Sequence, residues 1–421
     1  MDIRIKPRQL SGTVEAVPSK SDGHRLLIAA ALADQPTVLR VGPLSEDLRT
    51  TITALRRMGA VIEEGKNGAW TVFPIEEMPC TRTIDCGESG STLRFLFPLA
   101  AALGCNGYTY TGSARLAERP MAPLIDVMKR HGVLVRGEKL PFRVSGQLHG
   151  GIYKLPGNVS SQFLTGLFFA LPLLIADSRV ELTTEPESAP YLDITIAVLK
   201  KFGVAIERSG RRFDIKGRQR FRSPGEITVE RDWSNAAFWL AAGAIGDEIS
   251  VTGVNRHSPQ GDKAIVDLIG EMAGEGKKES LPGVTVRHQT LTAIDIDAAQ
   301  IPDLVPILSV LACAATGTTT IRNAAKLRTK ESDRLKAMRE NLSALGADIR
   351  ETEDGLIIHG GKKLNGAAVK GSNDHRVVMA LAVASLLCDG DLTIEGAEAV
   401  AKSYPSFFDD FRALGGAFDV L

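Results

Sequence analysis

The chain of 421 residues has few cysteines, no excess of charge of either sign and no long apolar run. Its five cysteines form no Cys-x-x-Cys pair and have no neighbouring histidines, so reduced thiols are expected and a zinc site is not. They are Cys80, Cys86, Cys105, Cys313 and Cys388. The 50 basic residues balance the 50 acidic ones, which argues against DNA or another polyanion as the main partner.

Two further absences concern targeting and membranes. The most apolar run, residues 163–176, contains Pro172 and is shorter than the about 20 residues that cross a bilayer. The start, MDIRIKPRQL, lacks the features of a signal peptide. We therefore expect a cytoplasmic protein with no membrane partner. Its length and a hydrophobic content of 44% are enough for a sizeable core and favour more than one domain.

The chain does contain a repeat with a period of about 70 residues. A helix end of the form LRRMGAVIE, centred on Gly59, returns in five further copies. They centre on Gly132, Gly203, Ala273, Gly346 and Gly416. Each copy predicts an amphipathic helix that is closed by a glycine cap and followed by a strand. Six such units fill the chain.

A second series of segments has the same period. Each segment is an apolar helix, rich in alanine and leucine, whose polar residues stand at its start. The six segments begin at residues 19, 88, 160, 232, 301 and 373. Because a helix that is apolar on all sides must be buried, the sequence predicts an α/β fold with apolar helices inside and sheets outside.

The six units divide into two domains of three. The stretch RSPGEITVERDW, near 222–233, follows the third unit, and the residues before 19 must join the last units to find partners. We predict a first domain at 19–229 and a second at 1–18 and 230–421. The two crossings, near 17–19 and 229–232, would form a hinge.

The starts of the apolar helices carry the conspicuous polar residues. Helix N-termini expose unpaired N–H groups and the positive end of the helix dipole, so they bind anions. The polar residues and one glycine at these starts are Lys20, Ser21, Arg25, Gly90, Ser91, Arg94, Ser160, Ser161, Gln162, Asp303, Asp374, His375 and Arg376. Basic clusters between the helices add Arg119, Lys330, Arg334 and Lys402. Lys330 and Arg334 are four positions apart, so we expect them to share a helix face. If the three starts of each domain converge, two such faces would line a cleft suited to phosphates and carboxylates.

Each of these residues also has a plainer interpretation. A single Ser or Asp at a helix start is more often a cap than a ligand, and KESDRL alone could be a solvated face. Arg25 and Arg94 fit this interpretation poorly, because a cation is disfavoured at a helix N-terminus and is costly to bury unpaired. For Asp22 and His24 we favour the plainer interpretation, capping or solvent exposure.

Ten short motifs, taken in order, resemble the enolpyruvyl transferase family, in the branch whose acceptor is shikimate 3-phosphate. They are PSKSDGHR, CGESGSTLR, ERPM, VSSQF, PYLDIT, QGD, IPDLVP, KESDR, NDHRV and KSYP. The resemblance implies two domains, each of three βαβαββ repeats. It also implies transfer of the enolpyruvyl group of phosphoenolpyruvate to the 5-hydroxyl of shikimate 3-phosphate through a tetrahedral adduct, with release of phosphate and without a metal or organic cofactor.

The resemblance further implies residue roles. Lys20, Asp303 and Glu331 would be catalytic, with Asp303 taking the 5-hydroxyl proton and Glu331 protonating the methylene carbon. Which carboxylate is acid and which is base in each half-reaction stays open. Contacts to shikimate 3-phosphate would be Lys20, Ser21, Arg25, Ser160, Ser161, Gln162, Ser188, Asp303 and Lys330. Contacts to phosphoenolpyruvate would be Lys20, Gly90, Arg119, Gln162, Arg334, Arg376 and Lys402. Arg94 and Tyr191 would line the cleft.

Some positions depart from the family's pattern. Some relatives have Asn in place of Glu88 and of Lys326, so Lys326 is carried over only weakly as a shikimate-side contact. Gly90 is kept, which leaves glyphosate as a candidate inhibitor. We expect a monomer.

Two alternatives fit the residues less well. A sister enzyme that acts on UDP-N-acetylglucosamine usually has Lys-Asn in place of Lys20-Ser21, and a cysteine that the loop GSARLAERP lacks. The second alternative is a non-enzymatic ring or clamp around a polymer, which would give Asp303 and Glu331 no function.

Overall fold

The computed structural model describes residues 1–79, 82–104, 107–274 and 283–421. The chain divides into two compact units. The first unit is Pro18–Glu230, and the second unit combines Met1–Val17 with Arg231–Leu421. These limits lie one residue from the predicted domain limits. Of the cysteines, Cys80 and Cys105 lie outside the described residues, while the other three are buried free thiols.

Two strands open the chain, and both belong to the second unit. They are β1 (Ile3–Lys6) and β2 (Gly12–Glu15). The elements of the first unit follow in chain order: α1 (Lys20–Ala31), β3 (Thr37–Arg40), α2 (Glu46–Arg57), β4 (Val61–Glu64), β5 (Ala69–Phe73), β6 (Thr83–Asp85), α3 (Gly90–Ala102), β7 (Tyr108–Thr111), α4 (Ala114–Glu118), α5 (Ala122–Arg130), β8 (Val133–Arg136), β9 (Phe142–Gly146), β10 (Ile152–Leu155), α6 (Ser161–Ala170), β11 (Ser178–Leu182), α7 (Pro190–Lys201), β12 (Glu207–Ser209), β13 (Arg212–Ile215) and β14 (Glu226–Thr228).

The rest of the chain supplies the remaining elements of the second unit. They are α8 (Trp233–Ile245), β15 (Ile249–Thr252), α9 (Ile265–Met272), β16 (Val284–Val286), β17 (Asp295–Asp297), α10 (Val305–Ala314), β18 (Thr318–Arg322), α11 (Arg334–Ala344), β19 (Asp348–Glu351), β20 (Leu356–His359), β21 (Ala368–Lys370), α12 (His375–Ala384), β22 (Leu392–Glu395), α13 (Phe407–Ala413) and β23 (Ala417–Val420).

Six small sheets confirm the predicted repeats over the described residues. The first unit has the sheets β14-β3-β5-β4, β6-β7-β9-β8 and β10-β11-β13-β12. The second unit has β16-β15-β2, β17-β18-β20-β19 and β21-β22-β1-β23. Each sheet has one parallel pair, and its other pairs are antiparallel. In four sheets the parallel strands flank one apolar helix, whereas in the other two the partners are exchanged, so that β14 pairs with β3 and β2 pairs with β15. This is the βαβαββ pattern, because a parallel pair needs a crossover connection such as a helix.

Each unit is closed by strands taken from distant parts of the chain. In the first unit, β14 pairs with β3, so the last strand of the unit completes its first repeat. In the second unit, β2 pairs with β15, and β1 lies between β22 and β23. Of the opening strands, β1 therefore belongs to the last sheet of the second unit and β2 to its first.

The six apolar helices form the cores. Helices α1, α3 and α6 lie in the first unit and α8, α10 and α12 in the second, and almost all their apolar residues are buried. Every residue of α8 is buried. Five of the six carry a Ser or Asp cap whose side chain accepts a backbone N–H: Ser19, Ser89, Ser160, Asp232 and Asp374. No helix within the described ranges is both long and apolar enough to cross a membrane.

The predicted glycine caps are confirmed in four copies and displaced in two. Gly59, for example, has a φ of 106° directly after α2, a conformation that favours glycine. After α9 the left-handed residue is Gly274, with a φ of 70°, rather than Ala273. After α13 it is Gly415, with a φ of 98°, so the cap predicted at Gly416 was wrong by one residue.

Candidate active site

In the first unit, Lys20 stands at the mouth of α1. The helix is capped by Ser19, and Lys20 is its first residue. The Nζ atom of Lys20 lies 2.8 Å from Oδ2 of Asp47, in the first turn of α2, and both side chains are mostly buried. A cation at a helix N-terminus opposes the dipole, so this carboxylate offsets the repulsion and fixes the lysine in place.

Arg25 is buried one turn further along α1. It donates from Nε to Thr195 Oγ1 (2.8 Å), from Nη1 to the Ser21 carbonyl (2.6 Å) and from Nη2 to Thr165 Oγ1 (3.3 Å) and the Tyr191 carbonyl (3.1 Å). Burial lowers the pKa of Arg25 to about 10, so the group stays charged at neutral pH. These bonds connect α1 to α6 and α7.

Arg94 connects α3 to α6 in a similar way. Its Nη1 donates to Gln162 Oε1 (2.6 Å), and its Nη2 donates to the carbonyl of Pro120 (2.9 Å). Gln162 in turn donates from Nε2 to Ser91 Oγ (3.0 Å). The starts of α3 and α6 therefore meet through side chains that the sequence placed among the candidates.

Gly90 and Arg119 lie against each other. A Cβ atom on Gly90 would stand 2.8 Å from Nη1 of Arg119 and 3.0 Å from its Cζ. Glycine at the first position of α3 thus lets a guanidinium approach the helix start.

The predicted serines lie at the start of α6 and before α7. Ser160 caps α6 by accepting the N–H of Gln162 (3.3 Å). Ser161 is the buried first residue of that helix. Ser188 is buried with a φ of 55°, an unusual conformation for a residue other than glycine.

In the second unit, Asp303 is enclosed by cations. It lies in the short 3-10 segment Pro302–Leu304 that precedes α10. Its carboxylate lies 2.8 Å from Nη1 of Arg334, 3.2 Å from Nη2 of Arg376 and 3.6 Å from Nζ of Lys330. Capping alone therefore does not account for the surroundings of Asp303.

Arg334 holds three carboxylates at once. Besides Asp303, it binds Glu331 Oε2 at 2.8 Å and Asp374 through Nε at 2.8 Å and Nη2 at 3.1 Å. Only 2% of its side chain is exposed. Burial alone would lower the pKa of Arg334, but Asp374, Glu331 and Asp303 raise it above its ordinary value, so it is always protonated. The solvated-face interpretation of this segment was wrong.

The segment before Arg334 was expected to be helical, but it is a loop. We expected Lys330 and Arg334 to share a helix face, but α11 begins at Arg334, and Asp333 caps it by accepting the N–H of Lys336 at 3.1 Å. Lys330 and Glu331 precede the helix, so their side chains reach the same centre from a loop. Within the described ranges, no group of three His, Cys, Asp or Glu side chains is placed to hold a metal ion.

The last basic candidates converge on the start of α12. Asp374 caps this helix by accepting the N–H of Arg376 (3.0 Å), and Lys402 donates to the carbonyl of Asn373 (2.6 Å). The second unit therefore gathers Asp303, Glu331, Lys330, Arg334, Arg376 and Lys402 around the starts of α10, α11 and α12.

Two residues were misjudged from the sequence. Asp22 is buried, and its Oδ2 accepts the N–H of Glu230 at 2.9 Å; it neither caps α1 nor faces solvent. His24 is buried as well, with Nδ1 2.7 Å from Oγ1 of Thr51 in α2. Burial, followed by Lys20 and Arg25, lowers the pKa of His24 well below its ordinary value, so the ring is neutral.

Sequence reasoning also missed several supporting residues. Thr165 and Thr195 bind Arg25, Asp47 binds Lys20, and Asp262 accepts a hydrogen bond from Ser234 in α8. Burial, with Asp303 nearby, raises the pKa of Asp262. A lone threonine inside the apolar run SSQFLTGLFF and the acid of the QGD motif were the available signals.

Comparison with known proteins identifies relatives along nearly the whole chain. The sequence model of the family described as EPSP synthase (3-phosphoshikimate 1-carboxyvinyltransferase) matches residues 5–411. A 3-phosphoshikimate 1-carboxyvinyltransferase of Clostridium kluyveri is 46% identical, over 99% of this chain and 98% of that protein. One of Clostridium acetobutylicum is 42% identical, over 98% of this chain and 97% of that protein.

Two solved structures have a similar fold. An EPSP synthase from Acinetobacter baumannii superimposes with a TM-score of 0.82 and 27% identity, and the match covers both chains completely. The enolpyruvyl transferase NikO from Streptomyces tendae has a TM-score of 0.81, over 99% of this chain and 98% of that one; at 20% identity, it supports the fold alone.

Proposed function

The chain belongs to the EPSP synthase family, and on this premise we propose that it transfers the enolpyruvyl group of phosphoenolpyruvate to the 5-hydroxyl of shikimate 3-phosphate, with release of phosphate. One observation carries the proposal. A single guanidinium, that of Arg334, binds the two carboxylates that the reaction needs, Asp303 and Glu331. Further cations, Arg376 and Lys330, flank Asp303.

The proposed reaction is an addition followed by an elimination. The 5-hydroxyl oxygen bonds to C2 of phosphoenolpyruvate, its proton passes to a carboxylate, and C3 gains a proton to become a methyl group. The C2–O bond to phosphate then breaks and phosphate leaves. The methyl group at C3 loses a proton, which restores the double bond between C2 and C3. Asp303 is assigned the hydroxyl proton and Glu331 the proton on C3, since general acid–base catalysis needs a positioned group at each atom.

The cations are assigned to the charges of the two substrates. In the first unit, shikimate 3-phosphate is assigned Lys20, Ser21, Arg25, Ser160, Ser161, Gln162 and Ser188, and in the second unit Asp303 and Lys330. Phosphoenolpyruvate is assigned Lys20, Gly90, Arg119 and Gln162 in the first unit, and Arg334, Arg376 and Lys402 in the second. Fixed cations stabilise the charge on the departing phosphate without reorganisation.

Arg334 contributes mainly through the carboxylates. It directs four of its five N–H groups to Asp303, Glu331 and Asp374, which leaves one for a ligand. Its task is therefore to hold both acid–base groups in place.

The test compares two acceptors. Purified protein with phosphoenolpyruvate and shikimate 3-phosphate, in buffer containing a chelator, should release phosphate continuously. The same protein with UDP-N-acetylglucosamine should release none above the background without acceptor. Release with the nucleotide sugar alone, or with neither acceptor, would contradict the proposal. A cytoplasmic location, a monomeric state, the hinged cleft and glyphosate binding stay predictions.

A further inference from the structure

Arg94 has no step in the proposed reaction, yet it lies between the parts of the first unit that carry the proposed phosphoenolpyruvate contacts. It is on α3, one turn after Gly90, and is 4% exposed. Its guanidinium packs over the Phe163 ring, 5.4 Å from the centroid. A buried cation near a helix N-terminus is costly, so the groups that receive its hydrogen bonds are informative.

The first of these groups is the side chain of Gln162. Its Oε1 accepts from Arg94 Nη1 at 2.6 Å, while its Nε2 donates to Ser91 Oγ at 3.0 Å. A reversed amide would set N–H donors against the guanidinium, which has no acceptor. Arg94 therefore selects one of the two amide orientations and turns the donor end of Gln162 away from itself.

The second group is the carbonyl of Pro120. Nη2 of Arg94 donates to it at 2.9 Å, and this fixes the connection between α4 and α5 directly after Arg119. The guanidinium of Arg119 packs at the start of α3, where a Cβ on Gly90 would come within 2.8 Å of it. A lysine in place of Arg94 could not hold both acceptors in this geometry, because only arginine has a rigid planar fork of donors.

We infer that Arg94 is a positioning residue for phosphoenolpyruvate, which orients the amide of Gln162 and holds the segment that presents Arg119. It acts through these two residues and does not touch the reacting atoms. The inference rests on the proposed function, because it requires that phosphoenolpyruvate binds at Gln162 and Arg119.

Steady-state kinetics of Arg94→Lys test the inference. The variant keeps the charge but loses the fork. We expect the KM for phosphoenolpyruvate to rise about tenfold or more, because small misplacements of binding groups cost one to two orders of magnitude. The KM for shikimate 3-phosphate should change much less, since only Gln162 among its proposed contacts is bonded to Arg94. Equal changes in the two KM values, or no change in either, would overturn the inference.

A double-mutant cycle separates positioning from a general loss of stability. If Arg94 acts partly through Gln162, Arg94→Lys should raise the KM for phosphoenolpyruvate less in a Gln162→Ala background than in the wild type. Fully additive effects would contradict the inference. Should Arg94→Lys fail to fold, as judged by thermal unfolding, the KM for phosphoenolpyruvate is measured instead for Pro120→Gly, which loosens the segment beside Arg119. An unchanged KM for phosphoenolpyruvate in that variant would overturn the inference.

Two controls keep the outcomes distinct. Arg56→Lys is a matched variant, because Arg56 also donates to a backbone carbonyl, that of Ile62, but lies outside the candidate site; it should leave both KM values unchanged. The wild-type protein is assayed in parallel. Absence of phosphate release by the wild type would contradict the proposed function, whereas an active wild type with an unaffected Arg94→Lys would contradict the positioning role alone.

Discussion

At the scale of single residues, the polar side chains at helix starts serve two different purposes. Ser160 binds the backbone of its own helix, whereas Asp303 binds Arg334 and Arg376, which lie more than 30 positions away. Both are short polar residues beside an apolar run, so their surroundings in the sequence are alike. Only the fold shows which of the two also binds side chains from distant parts of the chain.

Asp22 yields a prediction about pH. Burial is the main reason that its pKa is raised from 3.8 to about 6. The folded state then binds the proton more tightly than the unfolded state, so the contribution of Asp22 to stability falls as pH rises from about 4 to about 6 and stays low above that. Asp22→Asn keeps an oxygen to accept the N–H of Glu230, and it should raise the free energy of unfolding at pH 7.5 by up to about 3 kcal/mol.

Urea titrations at pH 5 and pH 7.5 measure this effect. The gain from Asp22→Asn should be clearly larger at pH 7.5 than at pH 5. Asp34→Asn is the matched control, because the Asp34 carboxylate also accepts a backbone N–H, that of Ser223, but is exposed. Equal gains from Asp22→Asn at the two pH values would show that ionisation of the buried carboxyl group does not lower stability.

At the scale of elements, helix caps differ in what else they support. Asp333 caps α11 and pairs at the surface with Arg328, 3.2 Å away. Asp374 caps α12, is fully buried and also binds Arg334. The two caps look equivalent in the sequence, yet only one neutralises a buried guanidinium.

We therefore expect unequal losses of stability from removing the two caps. Asp333→Ala should lower the free energy of unfolding by about 1 kcal/mol, the usual value of an N-cap. Asp374→Ala should lower it by about 3–5 kcal/mol, because it leaves a buried charge partly uncompensated. Chemical denaturation of both variants tests this, and similar losses would indicate that Arg334 finds other compensation.

The six apolar helices could be predicted because each combines a polar start with apolar residues on all sides, and this signal lies within a short stretch of sequence. The loop that carries Lys330 and Glu331 could not, since lysine and glutamate are good helix formers and nothing nearby forbids a helix there. The cap at Asp333 decides the boundary. Likewise, Thr165 and Asp47 were missed because their importance depends on buried cations brought to them by other helices.

At the scale of the whole molecule, several strands belong to repeats that lie far from them along the chain. The second unit takes β1 into its last sheet and β2 into its first, and the first unit closes with β14. The period of the sequence predicted only that the residues before 19 join the last units, because they precede the first complete repeat and have no partners of their own. The pairing of β14 with β3, and the separation of β1 and β2 into two sheets, were not predicted. The hydrogen-bond partners of those strands, such as Ile3 with Ile394, required the structure.

Phosphorus NMR of a complete reaction mixture is the most direct test of the enolpyruvyl transfer. With phosphoenolpyruvate and shikimate 3-phosphate, we expect the phosphoenolpyruvate resonance to be replaced by inorganic phosphate in step with loss of the acceptor. The 3-phosphate should persist as the monoester of a new product, one for each phosphate released. Phosphate lost from shikimate 3-phosphate, or phosphate released while the acceptor remains unchanged, would contradict enolpyruvyl transfer to the 5-hydroxyl.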